Sequence, residues 1–547
     1  MDQKALKTSL LSGPVPDLSA FFLGVLAHRL IFKHGEWHLQ ATNVMKVHCL
    51  IWALVALAQS THLAPLEALR TSSLLALAYA TGLFGSIIIY RTLFHSLREY
   101  PGPPLARITK LWHVVQCLDS KNHLLMEELH KKYGDFVRTG PNELTIFHPD
   151  TLHTIYDGNK NPFSKPAWYD NLRPYTGLNT HRSKYVHSHR RRIWDQAFST
   201  KALQSYQKHV RTYGNQLEEL ISKNVEKALV IHEFFYWFSW DVMGELAFSR
   251  SFGMLQSQKW HHAIGMLRKG LELVGPFTPV PWLTRIAFDI PILPTVRNFL
   301  KMEDWCARRM DERISRGVEG SDVSSYLIGW SAKHDRLTKD LHTLYGDSIA
   351  LVIAGSDTVA FTLVYIFYYL AKYPSQVEKL RKEQEGVDLE DFRQLQALPH
   401  LNGVINEVLR LHPAVPTGGF RETPPEGAMI GGRWVPGNTL ICAPRWIIGR
   451  LESCFEKPLE FVPERWYSKP EMIRNKKAFA PFALGTYYCI GKNLAYMEMQ
   501  YVVSLLVSKY DVRLAPGETG KRVVEDMVDQ FTAAPGKLQL VFERRKE

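Results

Sequence analysis

Long uncharged stretches dominate the hydrophobic pattern of the first hundred positions. Residues 71–90, TSSLLALAYATGLFGSIIIY, carry no charge between Arg70 and Arg91. At 1.5 Å per residue, a helical run of that length reaches about 30 Å, the thickness of a bilayer's hydrocarbon core. Residues 47–66, between Lys46 and Glu67, form a second uncharged stretch that contains His48, Gln59 and His62. A third run, Leu18 to Phe32, is shorter and broken by His28 and Arg29. No cleavage signal follows any of them, which sets aside a secretory leader. Residues 1–99 are therefore expected to form a membrane anchor with two to three hydrophobic segments, the alternative being a buried helical hairpin. Lys33 and Lys46 bracket the loop after the first run and favour a cytosolic position for it.

Tyr100-Pro101-Gly102-Pro103-Pro104 then ends any helix, because proline fixes φ and removes backbone donors. Residues 100–547 show mainly helical periodicity, with strand-like pieces at Glu143–Phe147, Met429–Val435 and Lys537–Phe542. They read as one large, mostly α domain. Ser348 to Ala371, SIALVIAGSDTVAFTLVYIFYYLA, is apolar enough to imitate a membrane span. Asp357 at its middle argues instead for a buried helix, since a lone carboxylate is costly in hydrocarbon. There Gly355 makes room for a ligand, and the Asp357–Thr358 pair can relay protons. Gly275 to Pro294 holds five prolines among Phe, Trp, Leu and Ile. It is expected to be a second membrane contact rather than a long helix, with Phe277, Trp282 and Phe288 at the interface.

Apolar residues make up 46% of the 547 and charged residues 22%, which excludes a disordered chain. The net charge of +12 admits a nucleic acid, an anionic membrane or an acidic protein as partner. No finger, basic zipper or aromatic RNA-binding signature supports nucleic acid. The six cysteines form no CxxC pair and are too sparse for a disulfide scaffold, which favours a reducing compartment.

The candidate chemistry lies near the C-terminus. In FAPFALGTYYCIGKN, Cys489 sits in a glycine-rich loop before a helical run. Loop N–H groups and the helix dipole favour its thiolate there. Gly485 permits a tight turn, Gly491 a close backbone approach, and Phe482 can shield the sulfur. These features suit an iron-thiolate ligand, although a lone cysteine is more often a small buried hydrophobe. Glu407 and Arg410 share one face of the helix in GVINEVLRLHP, and Arg465 in PERW can join them as a buried triad.

These four pieces, in this order, resemble the cytochrome P450 family over residues 100–547. AGSDT matches the oxygen-activating helix, Glu407-Val408-Leu409-Arg410 the ExxR helix, PERW the meander and FALGTYYCIG the haem loop. The resemblance implies a mainly α fold with small β-sheets, the cytochrome P450 fold, preceded by N-terminal transmembrane helices. It implies haem b (iron protoporphyrin IX) as cofactor, with Cys489 as the iron ligand and Phe482, Gly485 and Gly491 around it. Asp357 and Thr358 would deliver protons, and Glu407, Arg410 and Arg465 would form the structural triad. Two departures stand out. The family usually has Arg two residues before the cysteine, to pair with a haem propionate; here Tyr487 stands there. Aligned on AFS, His187 replaces the usual Trp of the WxxxR helix, while Arg191 keeps the Arg. His187, Arg191 and Arg421, in GGFRET, are the expected haem contacts. Ala354, Val415, Thr417 and Phe531 are the expected pocket residues, largely apolar, which implies a hydrophobic substrate oriented by shape.

Tyrosine in the haem loop and a multi-span N-terminus resemble a fungal subgroup of the tryprostatin B 6-hydroxylase type. The activity so implied is hydroxylation of a specialised metabolite with O2 and electrons from NADPH-cytochrome P450 reductase. The implied location is the endoplasmic reticulum membrane, with the catalytic domain facing the cytosol. Two alternatives stay open: a reductase-independent isomerase or dehydratase of the same family, and a non-catalytic haem-binding membrane protein. The intact Asp357–Thr358 pair argues against both.

Overall fold

The computed structural model describes residues 14–158, 161–317, 320 and 322–545. Three helices occupy the N-terminal hundred residues. The first is Pro14–Ala27 with a five-residue π turn, His28–Phe32; the second is Ala41–Ser60; the third is Pro65–Ile89 with a π turn, Tyr90–Phe94. The uncharged stretch 47–66 is thus not one helix. The second helix begins earlier and stops at Ser60, and Pro65 starts the next one in a first-turn position where its missing N–H costs nothing.

The first helix lies beside the third and runs in the same direction. Phe21 meets Gly82, Gly24 meets Tyr79, and His28 Nδ1 stands 2.8 Å from Ser86 Oγ. A Cβ on either glycine would overlap a carbonyl oxygen of the neighbouring helix, so close backbone approach requires both. The second helix runs antiparallel to the third, with His48 Nε2 3.2 Å from the Tyr79 hydroxyl and Ser72 Oγ donating to Gln59 Oε1 at 2.8 Å. Three of the polar residues that interrupt the apolar runs, His28, His48 and Gln59, are therefore paired between helices. The helices His38–Ser60 and Pro65–Phe94 are long and apolar enough to cross a membrane.

The loop after the first helix is held by the body of the protein. Arg182 grips both carboxylate oxygens of Glu36 at 2.6 Å and donates to Asp170 at 2.7 Å. His38 Nε2 lies 3.0 Å from Asp170, and Thr42 donates to Asp289 at 2.7 Å. This loop shares a side with the body, and the turn at 61–64 lies at the opposite end of the helices.

The body is built around the helix Leu337–Lys372, 36 residues long. It packs against Ile231–Phe248, and 72% of its most apolar window is buried, so it is the expected core helix and not a span. A four-stranded sheet has the spatial order Phe136–Gly140, Glu143–Ile146, Leu440–Cys442, Arg421–Glu422, parallel only between the middle two. A second sheet pairs Gln539–Arg544 with Leu229–Val230 and Tyr510–Leu514. The expected strand Met429–Val435 is a hairpin, Ala428–Ile430 with Arg433–Val435, turning where Gly431 and Gly432 both take positive φ.

Two residues of the proline-rich segment depart from expectation. Pro281 initiates a helix, Pro281–Asp289, after the helix His262–Phe277. Trp282 remains exposed, as expected for a surface contact. Phe277 and Phe288 turn inward instead, because helical spacing puts Phe288 on the same face as Thr284 and against Phe299.

The expected triad forms. Glu407 on the helix Pro399–Leu411 accepts from Arg410 Nε (2.9 Å) and Nη2 (2.7 Å), Arg465 Nε (2.9 Å), Trp466 Nε1 (2.9 Å) and the Val462 N–H (3.0 Å). The three charged side chains have no solvent exposure. One carboxylate cannot neutralise two guanidinium groups; the second finds backbone carbonyls, Arg410 donating to Gly449 and Pro458 and Arg465 to Glu456. Glu407→Ala would leave both arginines buried without their shared acceptor. It should cost about 3–5 kcal/mol. The expected outcome is little folded protein; recovery of a variant as stable as the wild type in denaturant titrations would contradict a structural role.

Candidate functional site

Cys489 follows a short 3-10 turn, Gly485–Tyr487, and precedes the helix Lys492–Lys509. Its N–H donates to the Phe482 carbonyl at 2.8 Å, which closes the loop on itself. Gly485 has φ +59°, and a Cβ there would overlap the Tyr156 carbonyl oxygen, so the tight turn requires glycine. Gly491 is different. Its φ is −79°, and a Cβ would stand 3.9 Å from the Cys489 sulfur, an ordinary contact. Protein atoms do not demand that glycine; the space it leaves opens on the cavity.

That cavity has a volume of about 570 Å³ and mostly apolar walls. Cys489 is the one free cysteine among the described residues that lines it; Cys117, Cys306, Cys442 and Cys454 are buried elsewhere, and Cys49 is exposed on the second helix. The surface that Cys489 exposes is cavity wall, for the residue otherwise lies deep in the protein. Burial pushes the thiol up, while the Gly491 and Lys492 N–H groups and the Arg191 charge pull it down. Phe482 lines the cavity beside it and packs on Tyr496 at 5.5 Å.

The central helix supplies another wall through Ala354, Gly355 and Thr358. Thr358 Oγ1 donates to the Ala354 carbonyl at 2.9 Å, and the helix stays continuous. Asp357 does not line the cavity. It is buried in the field of Arg268; burial pushes its carboxyl up to about 7, and the Arg268 charge opposes the rise. Val415 and Phe531 line the cavity as expected, Phe531 stacked on Trp168 at 4.7 Å. Thr417 does not. It donates to Asp529 at 2.5 Å and accepts from Asn122 at 2.7 Å, in a buried polar chain behind the wall. The sequence pattern around position 415 could not say which neighbour faces inward.

Cations gather at one end of the cavity. Arg191, on the helix Lys184–Ala197, donates to the Tyr488 carbonyl at 2.8 Å and pairs with Asp195 at 2.8 Å. Arg421 donates to the Tyr169 hydroxyl at 3.0 Å. His187 packs against the Tyr487 ring at 4.5 Å; burial, with Lys165, Arg191 and Arg421 nearby, holds it neutral, down to about 3. Lys165, Trp168, Tyr169 and Arg445 also line this end and carry no sequence motif that would have marked them. Arg421 Nε, Arg191 Nη2, His187 Nδ1 and the Tyr487 hydroxyl are buried without a partner among the described residues. A thiol at the floor, a broad apolar cavity and unspent donors at one end fit a haem group, whose iron Cys489 would hold and whose carboxylates the cations would meet.

The comparisons agree with this geometry. The cytochrome P450 family profile matches residues 101–542. A cytochrome P450 monooxygenase of Aspergillus versicolor is 36% identical, over 95% of this chain and 96% of that one. One of Purpureocillium lilacinum is 37% identical, over 96% and 98%. Tryprostatin B 6-hydroxylase of Aspergillus fumigatus is 35% identical, over 96% of both chains. Among solved structures, the haem domain of cytochrome P450DA superposes with a TM-score of 0.67 at 17% identity, covering 82% of this chain and 98% of that one, which shows the fold.

The raised Asp357 pKa has a measurable sign. Below about pH 4 the folded and unfolded chains both hold the proton. Between about 4 and 7 the unfolded chain loses it and the folded one does not, so stability falls as pH rises. Relative to Asp357→Asn, the wild type should lose roughly 4 kcal/mol across that window, about 1.4 kcal/mol per pH unit. Denaturant titrations of the two proteins at several pH values test this; a stability difference that does not change with pH would sink it.

Proposed function

The chain belongs to the cytochrome P450 family and is an oxidoreductase of the monooxygenase type, and on that premise we propose that it is a membrane-anchored haem-thiolate enzyme that hydroxylates a hydrophobic small molecule of fungal specialised metabolism. The observation that carries the reading is the single cavity shared by the Cys489 sulfur, the Thr358 hydroxyl and an apolar wall. The fungal relatives support the substrate class, one of them named for hydroxylating tryprostatin B.

Residues 1–99 form the anchor. Three spans account for the parallel packing of the first helix on the third. They put the 33–40 loop and the body on the cytosolic face of the endoplasmic reticulum, where NADPH-cytochrome P450 reductase supplies electrons. Residues 100–547 form the catalytic domain. Trp282, exposed on the helix that Thr42 grips through Asp289, extends the membrane-facing surface.

When bound, haem b supplies O2 activation and the oxidising equivalent. Cys489 holds the iron, and the loop N–H groups stabilise its thiolate. Apolar residues such as Ala354, Val415 and Phe531 orient the substrate by shape and exclude bulk water. Thr358 presents its hydroxyl to the cavity; the Ala354 carbonyl accepts its hydrogen bond, which leaves the oxygen lone pairs free to hold a water for proton delivery. Asp357 acts from behind the helix as a proton reservoir poised near neutrality.

Cys489→Ala should abolish the thiolate-type band of the reduced carbon-monoxide complex, while Cys442→Ala and Cys454→Ala should keep it. Loss of the band from either of those two, with Cys489→Ala retaining it, would displace the assignment. Thr358→Ala should keep the band but divert reducing equivalents to peroxide. The ratio of product to NADPH consumed measures this, and an unchanged ratio removes Thr358 from proton delivery. Reductase-independent turnover of the wild type would favour the isomerase reading.

A further inference from the structure

Lys165 is almost fully buried, in a wall of the cavity that also carries Arg421 and His187. Lysine is rarely buried without a carboxylate partner. Among the described residues no carboxylate pairs with it: Nζ donates to the Asn179 carbonyl at 2.7 Å, and the charge that acts on it is that of Arg421, which repels. Its remaining contacts are aromatic faces, Tyr487 at 4.8 Å and Tyr169 at 5.1 Å from the ring centroids. Tyr487 takes Arg421 as well, at 4.5 Å, so one ring is shared by two cations that have no acid between them.

The backbone fixes this arrangement. Ser164 and Glu422 exchange both backbone hydrogen bonds, at 3.0 and 2.9 Å, which sets Lys165 beside Arg421. Arg182 Nε donates to the Lys165 carbonyl at 3.0 Å, with its other nitrogens on Asp170 and Glu36. Pro166 restricts Lys165 to extended backbone. A buried ammonium held this firmly, with donor capacity unspent, calls for an anion from the cavity side.

We propose that Lys165, with Arg421, binds a carboxylate side chain of the prosthetic group, and that Tyr487 occupies its position as the aromatic spacer between these two cations. This rests on the haem-thiolate reading above. The ammonium then carries full charge, and the Tyr487 hydroxyl is free to donate to the same carboxylate. The position two residues before Cys489 needs no positive charge because Lys165, more than three hundred positions earlier, supplies it.

The test uses the haem-loaded, full-length protein and two readouts besides activity: the rate of haem transfer to apomyoglobin and the midpoint potential of the iron. Lys165→Met should speed haem release by about tenfold or more, the scale of one charge-assisted hydrogen bond. It should also lower the potential, since removing a positive charge favours the oxidised iron. Lys165→Arg should behave like the wild type. Tyr487→Arg placed in the Lys165→Met background should restore both readouts, which repacking of a structural lysine would not achieve. Unchanged release and potential in Lys165→Met would overturn the proposal. Where Lys165→Met yields no folded protein, the double variant decides: recovery of haem-loaded protein supports the proposal, and failure overturns it. A wild type without a thiolate-type carbon-monoxide band would instead overturn the haem-thiolate reading, a separate outcome.

Discussion

One fully buried carboxylate, Glu407, organises the proximal half of the body. It accepts five hydrogen bonds from groups that lie up to 59 positions away in the chain. Through Arg465 and Trp466 it ties the helix Pro399–Leu411 to the irregular segment that leads into the Cys489 loop. That segment has little regular structure to hold it, so its shape depends on side-chain acceptors and donors. Trp466 packs on Phe479 at 4.3 Å, which carries the order forward to the loop itself. Gly485 then fits under the Tyr156 carbonyl, and the sulfur is fixed beneath the central helix. A buried charge group is a poor source of net stability, yet breaking it is costly. Its value here is geometric.

The cavity is electrostatically lopsided. Its broad walls are apolar, whereas Lys165, Arg191, Arg421 and Arg445 crowd one end, and among the described residues Asp195 is the only carboxylate paired with any of them. Aromatic rings separate these cations: Tyr156 and Tyr487 both face Arg421, and Tyr488 faces Arg191 at 4.0 Å. Ring faces carry partial negative charge and soften repulsion without neutralising it. The uncompensated end would receive the acid groups of an amphiphilic ligand, and the apolar walls its apolar part. Asp357 and Asp529, by contrast, are withdrawn behind the walls, where burial raises both toward neutrality.

The N-terminal helices are joined to the body by side-chain contacts. Glu36, His38 and Thr42 bind Asp170, Arg182 and Asp289, residues on the two segments that flank the cavity at Trp168–Tyr169 and at Phe288. Three of the cluster, Glu36, His38 and Asp170, have the spacing of a metal site, but Arg182 occupies both carboxylates and makes the spot unfavourable for a cation. The contact is an ion-paired clasp, and it explains why the 33–40 loop and the body share a side.

Local chemistry was readable in the linear chain. The Cys489 loop, the Glu407–Arg410 pair, PERW and the AGSDT helix each lie within a few residues, where spacing reports on one turn or one helix face. The apolar runs announced the N-terminal helices and the buried central helix for the same reason. Boundaries were harder, because the uncharged stretch 47–66 runs past the end of the second helix at Ser60 and into the helix that Pro65 starts. Inward and outward facing was harder still: Thr417, Phe277, Phe288 and Asp357 all took a direction that neighbours distant in sequence impose. Lys165 shows the limit most clearly. Nothing in FSKPAW marks that lysine, since a buried cation becomes meaningful only through what surrounds it. Its neighbours Arg421 and Tyr487 are brought to it by a strand pairing and a loop from the far end of the chain. Bonding and helix periodicity act over a few residues and leave their trace in the sequence; burial and the compensation of charge act through space, so only the tertiary structure settles them.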